Sequence, residues 1–349
     1  MSGFITLVLI ILVFIIIYQI GKAGEYASML REESKVKEQT NKTIAWLLVA
    51  FFFLGLYGIW KCNQLFDGKM LPPSASEQGV NYDSMFIYTL SVTGIVFFAT
   101  QAVLFWFAFR YQSTEKRTAF FYPHNNKLEI IWTTVPAIAM AALVAVGLRN
   151  WLNVTSEAPK NANIVEVVGK QFNWLIRYPG KDGVLGKRDF RKIDDANNIL
   201  GLDWNDKDNM DDIIAQNGEL HLVVNKPVKL IIGSRDVIHD VGLPHFRMKM
   251  DAVPGIVTTM WFTPRFTTAQ MKEMTKNPDF VYEISCDQMC GKGHYSMRGT
   301  VIVQTQAEYD AWLASQQSYY AMNNAPATPV ADSAHTMQKP DTTKAVTMK

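Results

Sequence analysis

The feature that most constrains this 349-residue chain is the concentration of its long apolar runs before Trp151. Each run is close to the roughly 20 residues that a helix needs to cross the hydrocarbon of a membrane. The four runs are Phe4–Ile20, Ile44–Trp60, Phe86–Tyr111 and Ile130–Leu148. A stretch such as "FITLVLIILVFIII" has no polar face to turn toward water, which argues against helices buried in a soluble core. The sequence therefore predicts four transmembrane helices.

The first run is N-terminal and apolar, so a cleaved secretory signal is the alternative to a membrane helix. The stretch Met1–Phe4 carries no basic residue, and no small-residue cleavage site closes the run. We therefore expect a retained first helix.

Basic residues in the short connections predict how the helices are oriented, because cytoplasmic connections carry an excess of lysine and arginine. The connections after the first and third runs are both basic: Lys22, Arg31, Lys35, Lys37 and Lys42, then Arg110, Lys116, Arg117 and Lys127. Both should face the cytoplasm. The N-terminus and the large C-terminal domain are then expected on the periplasmic side of a bacterial-type inner membrane.

After Trp151 the chain changes to short runs rich in β-branched and aromatic residues. There are seven: "NIVEVVG", "FNWLIRY", "ELHLVVN", "VKLIIG", "VTTMWFTPR", "FVYEIS" and "GTVIVQ". Several are separated by Gly, Pro and Asn, a pattern that predicts a small antiparallel sandwich or barrel. A helix is expected over Ala307–Ser315, where apolar residues recur at helical spacing. From residue 316 to 349 no periodicity is found, and we expect a disordered tail.

A polar insertion at about residues 179–218 interrupts the β-rich region. Its core, residues 194–212, holds seven aspartates: Asp194, Asp195, Asp203, Asp206, Asp208, Asp211 and Asp212. The simplest interpretation is a solvated surface loop. A calcium site is an alternative, although the usual calcium-loop pattern with its central Gly and terminal Glu is missing. A third is an electrostatic surface for a basic partner.

The densest cluster of metal-binding residue types is "CDQMCGKGHYSM", Cys286 to Met297. Two cysteines four residues apart fit a disulfide or, with histidine, a zinc site. Met297 argues against both, because a thioether is a soft, weak ligand that copper accepts readily. Two thiolates in one turn can bridge two copper ions, which then requires a second histidine. His239, His245 and His221 are the candidates, with a slight preference for His239 just past a predicted strand.

The spacing Cys286-x-x-x-Cys290-x-x-x-His294-x-x-Met297 resembles the binuclear copper (CuA) loop of subunit II of the haem-copper cytochrome c oxidases. "DVIHDVGLPHFRMKMDAVPG", residues 236–255, is similar to the family segment that supplies the first histidine ligand. "NNKLEIIWTTVPAIAM", residues 125–140, is similar to the start of the second core helix. The resemblance covers about residues 86–315 and implies a cupredoxin-like Greek-key β-barrel anchored by transmembrane helices.

Carried over by position, the resemblance assigns six metal-centre residues. Cys286 and Cys290 become bridging thiolates, and His239 and His294 imidazole ligands. Met297 becomes the weak thioether, and Gln288 contributes its backbone carbonyl. In many relatives a glutamate at the position of Gln288 also helps to hold magnesium at the interface with subunit I, so the uncharged Gln288 argues against magnesium here.

Three further residues take roles from the resemblance. Glu129 matches a glutamate at the mouth of a proton-uptake path shared with subunit I, although an acid that stabilises a helix N-terminus is an equally good interpretation. Phe172 stands where the family usually has the tryptophan through which electrons enter. Trp174 is close by, and a core role for it is the alternative.

The resemblance implies a subunit that passes electrons, one at a time, from a c-type cytochrome to the haem of subunit I, where oxygen is reduced and protons are pumped. No Cys-x-x-Cys-His occurs, so no covalently attached haem is expected in this chain and the donor is a separate polypeptide. The formal net charge of +2 predicts no nucleic-acid partner. A structural or copper-binding membrane adaptor without an electron-transfer role is the alternative function.

The family core has two transmembrane helices, so the first two runs are additional. We divide the chain into an added helix pair (residues 1–80), a core helical hairpin (81–151), a copper domain (152–315) and the tail (316–349). The added pair is expected to pack on a neighbouring subunit or on a membrane-bound cytochrome-containing donor complex.

Overall fold

The computed structural model describes residues 2–29, 33–67, 69–114, 117–215 and 217–324. Its N-terminal part consists of four long helices: α1 (Ser2–Met29), α2 (Glu33–Leu65), α3 (Glu77–Arg110) and α4 (Asn126–Thr155). Among the described residues, the three stretches that are long and apolar enough to cross a membrane are Val36–Leu65, Glu77–Arg110 and Asn126–Thr155. Three of the four predicted spans are therefore found, and all four apolar runs are helical.

Helices α2, α3 and α4 pack as antiparallel neighbours. Trp46 near the start of α2 lies edge-on to Phe109 near the end of α3, with ring centroids 4.9 Å apart. The Asn41 side chain donates to the Ser113 carbonyl at 3.1 Å. The start of α2 and the end of α3 consequently lie on the same side of the bundle, as the charge pattern predicts.

The described residues of the C-terminal part form ten strands: β1 (Asn163–Lys170), β2 (Asn173–Tyr178), β3 (Ile213–Ala215), β4 (Glu219–Val223), β5 (Val228–Ser234), β6 (His239–Leu243), β7 (Met248–Ala252), β8 (Thr258–Phe262), β9 (Tyr282–Cys286) and β10 (Arg298–Gln304). Three short helices accompany them: α5 (Thr268–Thr275), α6 (Gln306–Ser315) and α7 (Tyr319–Asn324). All seven predicted strands and the predicted helix are present. Strands β3, β6 and β7 and helices α5 and α7 were not predicted.

The strands form two five-stranded sheets with the orders β3-β2-β1-β5-β8 and β4-β10-β9-β6-β7. Most pairs are antiparallel, but β1 pairs with β5 and β10 with β4 in parallel. The prediction of an antiparallel sandwich or barrel was therefore wrong for these two pairs. Inward-facing residues such as Trp174, Leu230, Val241 and Tyr282 pack between the sheets as one apolar core.

The missed strands share a weak sequence signal. β6 reads "HDVGL" and β7 reads "MKMDA", so neither is a run of β-branched or aromatic residues. Every residue of β6 is nevertheless buried. Its pairing with β7 on one side and β9 on the other makes it a strand, because the ladder satisfies its backbone groups.

The insertion is an ordered lobe, which corrects the interpretation of a solvated loop. Ile199, Leu200 and Leu202 pack with Val168 and Leu175 in a second apolar core on the outer face of the first sheet. Residues of this kind inside an aspartate-rich segment give it enough apolar burial to fold.

Buried charges attach the insertion to the barrel. Arg177 of β2, only 1% exposed, forms ion pairs with Glu166 and with Asp212, which are 6% and 0% exposed. Its guanidinium also donates to the Gly186 carbonyl and to the Asn209 side chain, both at 2.7 Å. An arginine buried in this way requires partners, and the insertion supplies most of them.

The beginning of the tail is also ordered, contrary to the prediction of disorder from residue 316. Tyr319 is 3% exposed and joins the second apolar core. Its hydroxyl accepts from the Ile199 amide at 3.1 Å, and its own amide donates to the Asp212 carbonyl at 2.7 Å. Residues 325–349, the rest of the predicted tail, lie outside the described residues.

Candidate metal centre

The metal-binding residue types converge at one end of the second sheet. His239 is the first residue of β6, and Cys286 is the last residue of β9. These strands are antiparallel neighbours in which Val241 pairs with Cys286, so the start of β6 lies beside the end of β9. The connection between β9 and β10 carries the other three candidate side chains, Cys290, His294 and Met297, and returns them to this end of the sheet.

Short distances link all the predicted donor atoms. Cys286 Sγ lies 3.7 Å from Cys290 Sγ and 3.8 Å from His239 Nδ1. Cys290 Sγ lies 3.7 Å from His294 Nδ1 and 3.8 Å from Met297 Sδ.

The backbone carbonyl of Gln288 completes the set, 3.2 Å from Cys286 Sγ. Each thiol therefore has one imidazole and one weaker donor beside it. The arrangement brings together all six residues predicted for the centre.

The donor set fits a shared metal site and not a disulfide. Both cysteines are free thiols, and their sulfurs stand well beyond the bonded distance of about 2.05 Å. Metal–sulfur bonds are about 2.3 Å long in tetrahedral thiolate sites, so two thiolates on one such metal lie about 3.8 Å apart. His239, Cys286 and Cys290 are the one group of three or more such side chains that the described part of the chain gathers closely enough for a metal ion.

The side chains of the centre are largely buried from solvent. His239 and Met297 are fully buried, and Cys286 and Cys290 are 7% and 4% exposed. Burial, together with the neighbouring Cys286, raises the pKa of the Cys290 thiol to about 11. A bound cation offsets the cost of deprotonating this buried thiol, because metals bind the thiolate form of cysteine.

Two residues outside the predicted set hold the ligands in place. Asp236 accepts a hydrogen bond from His239 Nε2 at 2.7 Å, which leaves Nδ1 free to face Cys286. The Gln171 amide donates to the other Asp236 oxygen at 2.7 Å, and the Gln171 side chain donates to the Cys290 carbonyl at 2.6 Å. Sequence reasoning missed both residues, although "DVIH" and "GKQF" adjoin residues that it had selected.

The other two candidate histidines are elsewhere. His221 is a buried residue of β4 whose ring stacks on Trp312 with centroids 3.7 Å apart. His245 follows β6 at the opposite end of the strand, where its ring lies against Phe280 and Tyr282. Burial lowers the pKa of His245. Neither residue contributes to the centre.

The two aromatic candidates take different positions. Phe172, in the β1–β2 turn, is half-buried and covers the cysteine loop; a Cβ built on Gly293 would lie 2.5 Å from its ring. Trp174 is fully buried in the core, with its ring centroid 6.1 Å from that of His239. Phe172 therefore lies between the centre and the surface, whereas Trp174 packs beneath it.

Glu129 lies far along the chain from this centre, in the first turn of α4. Its Oε1 is 3.5 Å from the amide of Asn125, the residue that caps the helix. The contact is typical of an acid at a helix N-terminus. The side chain is exposed at the end of the helix that joins the basic connection.

Two sequence profiles match the chain: "Cytochrome C oxidase subunit II, periplasmic domain" over residues 164–305 and "Cytochrome C oxidase subunit II, transmembrane domain" over residues 61–149. The chain is 37% identical over 259 residues to the alternative cytochrome c oxidase subunit 2 of Bradyrhizobium diazoefficiens, an alignment that covers 74% of this chain and 88% of that protein. It is 27% identical over 275 residues to cytochrome c oxidase subunit 2 of Cereibacter sphaeroides, covering 75% and 85%.

A similar solved structure is that of the periplasmic domain of subunit II of the cytochrome oxidase of Bradyrhizobium japonicum. It is 25% identical, covers 45% of this chain and 95% of that chain, and has a TM-score of 0.31. The matches to the two profiles and to the 37% identical relative extend over both the helices and the barrel. The chain therefore belongs to the cytochrome c oxidase subunit II family.

Proposed function

We propose that this chain, as subunit II of a cytochrome c oxidase, accepts electrons from a c-type cytochrome at a binuclear copper centre and passes them to the haem of subunit I. There oxygen is reduced to water and protons are pumped. The observation that carries the proposal is the convergence of two thiols, two imidazoles, a thioether and a carbonyl, linked by contacts of 3.2–3.8 Å. When bound, the copper pair supplies a one-electron carrier.

The chain's own residues hold such a centre in fixed positions. Cys286 and Cys290 would hold the copper ions as thiolates, with the His239 imidazole beside the first and the His294 imidazole beside the second. Met297 and the carbonyl of Gln288 are the weak donors. Four of these side chains are buried, and two of them, His239 and Cys286, stand on the paired strands β6 and β9, so they change position little with the charge of the site. Burial also excludes water.

The proposal is tested on the purified oxidase complex by metal analysis and electron paramagnetic resonance. We expect two copper ions in this subunit that share one unpaired electron equally, in addition to the metals of subunit I. A single copper, zinc, or a Cys286–Cys290 disulfide without metal would overturn it. The last outcome would instead favour a structural adaptor subunit.

Electrons are proposed to enter near Phe172, which lies over the loop that carries the centre. Large apolar side chains are exposed on the same segments, since Met289 and Tyr295 of the cysteine loop are 74% and 80% exposed and Val237 and Ile238, just before His239, are partly exposed. Aromatic and apolar side chains of this kind are typical of the middle of a transient protein interface. Trp174 serves as a packing residue under His239.

The membrane topology is proposed to have four spans, with the barrel on the periplasmic side of a bacterial-type inner membrane. Helix α1 has 28 residues and is about 42 Å long, which exceeds the roughly 30 Å of the hydrocarbon core. The start of α2 and the end of α3 lie on the same side of the bundle, which supports a cytoplasmic location for both basic connections. Fusion of a reporter to each connection would test the assignment, and a periplasmic signal from the α1–α2 connection would contradict it.

The division of the chain into an added helix pair (1–80), a core hairpin (81–151), a copper domain (152–315) and a tail (316–349) remains our proposal. The transmembrane profile begins at residue 61, near the end of α2, which supports an added segment before it. We propose that this segment contacts a neighbouring oxidase subunit or a membrane-bound cytochrome-containing donor. Removal of residues 1–60 should then release that partner and leave the copper signal intact.

Glu129 is proposed as the mouth of a proton path shared with subunit I, because it is an exposed acid at the cytoplasmic end of α4. Glu129→Gln should lower proton pumping or turnover without changing the copper signal. An unchanged turnover would leave the residue as a helix-stabilising acid.

The sequence gives no charged magnesium ligand at Gln288, and we do not propose magnesium there. Three aspartates of the insertion form ion pairs within the protein. Asp195 pairs with Lys170 and Arg235, Asp203 pairs with Lys192, and Asp212 pairs with Arg177. No calcium site is proposed for them.

A further inference from the structure

The turn between β1 and β2 lies directly over the metal centre, although it belongs to the other sheet. Lys170, at the end of β1, pairs with Asn173, at the start of β2, so Gln171 and Phe172 form the two-residue turn. The ligand residues, in contrast, come from β6 and from the β9–β10 connection of the second sheet. A contact from this turn to the ligands is therefore a contact between the two sheets.

Gln171 makes two such contacts, one to each ligand-bearing segment. Its backbone N–H donates to Asp236 Oδ2 at 2.7 Å, and Asp236 Oδ1 accepts from His239 Nε2 at 2.7 Å. Its side-chain amide donates to the carbonyl of Cys290 at 2.6 Å. A continuous chain of hydrogen bonds thus runs from the His239 imidazole through Gln171 to the backbone of Cys290.

Two glycines provide the space for this approach. A Cβ on Gly291 would lie 3.0 Å from Gln171 Nε2, and Gly291 also has a φ of +136°, where a side chain would be strained. A Cβ on Gly169 would lie 2.6 Å from the His239 ring. The first sheet can close onto both ligands only because neither position carries a side chain.

The geometry points to Gln171 as a positioning residue of the metal centre, which fixes His239 and Cys290 relative to each other across the two sheets. The inference rests on the proposed copper function. A hydrogen bond to the Cys290 carbonyl holds the loop, and the Asp236 bond holds the imidazole in one orientation and tautomer. Outer residues of this kind typically change metal affinity 10- to 100-fold when they are replaced.

The test uses the purified oxidase complex carrying Gln171→Ala, Gln171→Glu or the control Gln317→Ala, an exposed glutamine of the tail. Gln171→Glu keeps the shape of the side chain but places a carboxylate against the Cys290 carbonyl. We measure the rate at which a strong chelator removes copper, the reduction potential of the centre and its copper hyperfine pattern. Thermal unfolding of each complex reports separately on general stability.

Both Gln171 variants should lose copper about tenfold faster than the wild type or more, with a changed potential and hyperfine pattern. The control should match the wild type in all three measurements. A Gln171→Glu complex with the wild-type release rate, potential and hyperfine pattern would overturn the inference, whether or not Gln171→Ala assembles. If the wild-type complex itself lacks a two-copper signal, it is the proposed function that fails.

Discussion

The cysteine loop and the aspartate-rich insertion are both irregular polar segments rich in potential metal ligands, yet the fold uses them in opposite ways. In residues 286–297 the ligand side chains converge on one point within 3.8 Å of a neighbour. In residues 179–218 the carboxylates turn to separate partners on the barrel, on other side chains of the insertion or on their own backbone. A metal site therefore requires that the side chains meet at one point, and the presence of suitable residue types in a segment does not ensure this.

The physical difference lies in what each segment must bury. The cysteine loop is held between two strands of one sheet and contributes soft side chains that tolerate burial, such as Met297. The insertion must cover the outer face of a sheet, so it supplies Ile199, Leu200 and Leu202 to the second apolar core. Its aspartates satisfy the buried Arg177 or the free amides of tight turns.

The sharpest contrast is expected from Cys290→Ser in the oxidase complex. Loss of one bridging thiolate should abolish the shared-electron copper signal and lower turnover with the reduced cytochrome by about 100-fold or more, beyond the effect typical of outer residues. Cys62→Ser, on the exposed surface of α2, is the matched control and should change neither quantity. A Cys290→Ser complex with full turnover would show that electrons do not need this centre.

Arg177→Leu should be the most damaging change at the insertion. It leaves Asp212 as a buried carboxylate without its ion-pair partner and leaves Glu166 with Arg188 alone. Breaking a buried pair in this way typically costs about 3–5 kcal/mol of the free energy of unfolding. Chemical denaturation of the extramembrane domain, followed by tryptophan fluorescence, measures the loss. Arg191→Leu, an exposed arginine of the same insertion, should be nearly neutral. Equal effects of the two changes would contradict the buried network.

Tyr319→Ala tests whether the ordered start of the tail is part of the second core. Removal of a buried aromatic side chain should cost about 3 kcal/mol of unfolding free energy. Tyr319→Phe removes only the hydroxyl that accepts from Ile199, so its cost should be about 1 kcal/mol. If both variants are as stable as the wild type, this part of the tail does not contribute to the second core.

Phe172→Leu should weaken the productive encounter with the electron donor and leave the copper signal unchanged. Truncation of an interface aromatic commonly costs more than about 1 kcal/mol, so the Michaelis constant for the cytochrome should rise several-fold to about tenfold. Phe190→Leu, at an aromatic residue of the insertion that is 74% exposed, is the control. If both variants bind the donor equally well, Phe172 is not where electrons enter.

Asp195→Asn should have the smallest effect of all. Asp195 is 70% exposed, and its pairs with Lys170 and Arg235 are screened by solvent. These pairs lower the pKa of the Asp195 carboxyl without burying it. We expect no change in the copper signal and little change in thermal stability. A large loss of copper would contradict this expectation. It would show that the insertion stabilises the centre through Lys170 and Arg235, which directly precede Gln171 and Asp236 in the sequence.

The candidate site was largely predictable because its information is local. Five of the six donors lie within twelve residues, and their types and spacing select copper over zinc or a disulfide. His239 was the exception, since spacing gave it only a slight preference over His245. The β6–β9 pairing places His239 next to Cys286, while the same strand carries His245 to the opposite end.

The fold was predictable where the burial of an element leaves a regular pattern of apolar residues in its sequence. The apolar runs predicted the helices, and the seven β-rich runs predicted seven strands. Strands β6 and β7 were missed because their burial comes from neighbours that are distant in the sequence. The ordered insertion and Tyr319 were missed for the same reason, since a few apolar residues in a polar segment reveal nothing until the sheet that they cover is known.

By itself, the sequence determined the membrane attachment, the β-rich domain and the chemical nature of the metal ligands, because hydrophobic length, alternation and donor type are properties of single segments. Only the tertiary structure decided which histidine joins the cysteines, and that Gln171 and Asp236 connect the ligand segments. It also decided that the aspartates hold a lobe together. These outcomes depend on which strands become neighbours, a property that no single segment contains.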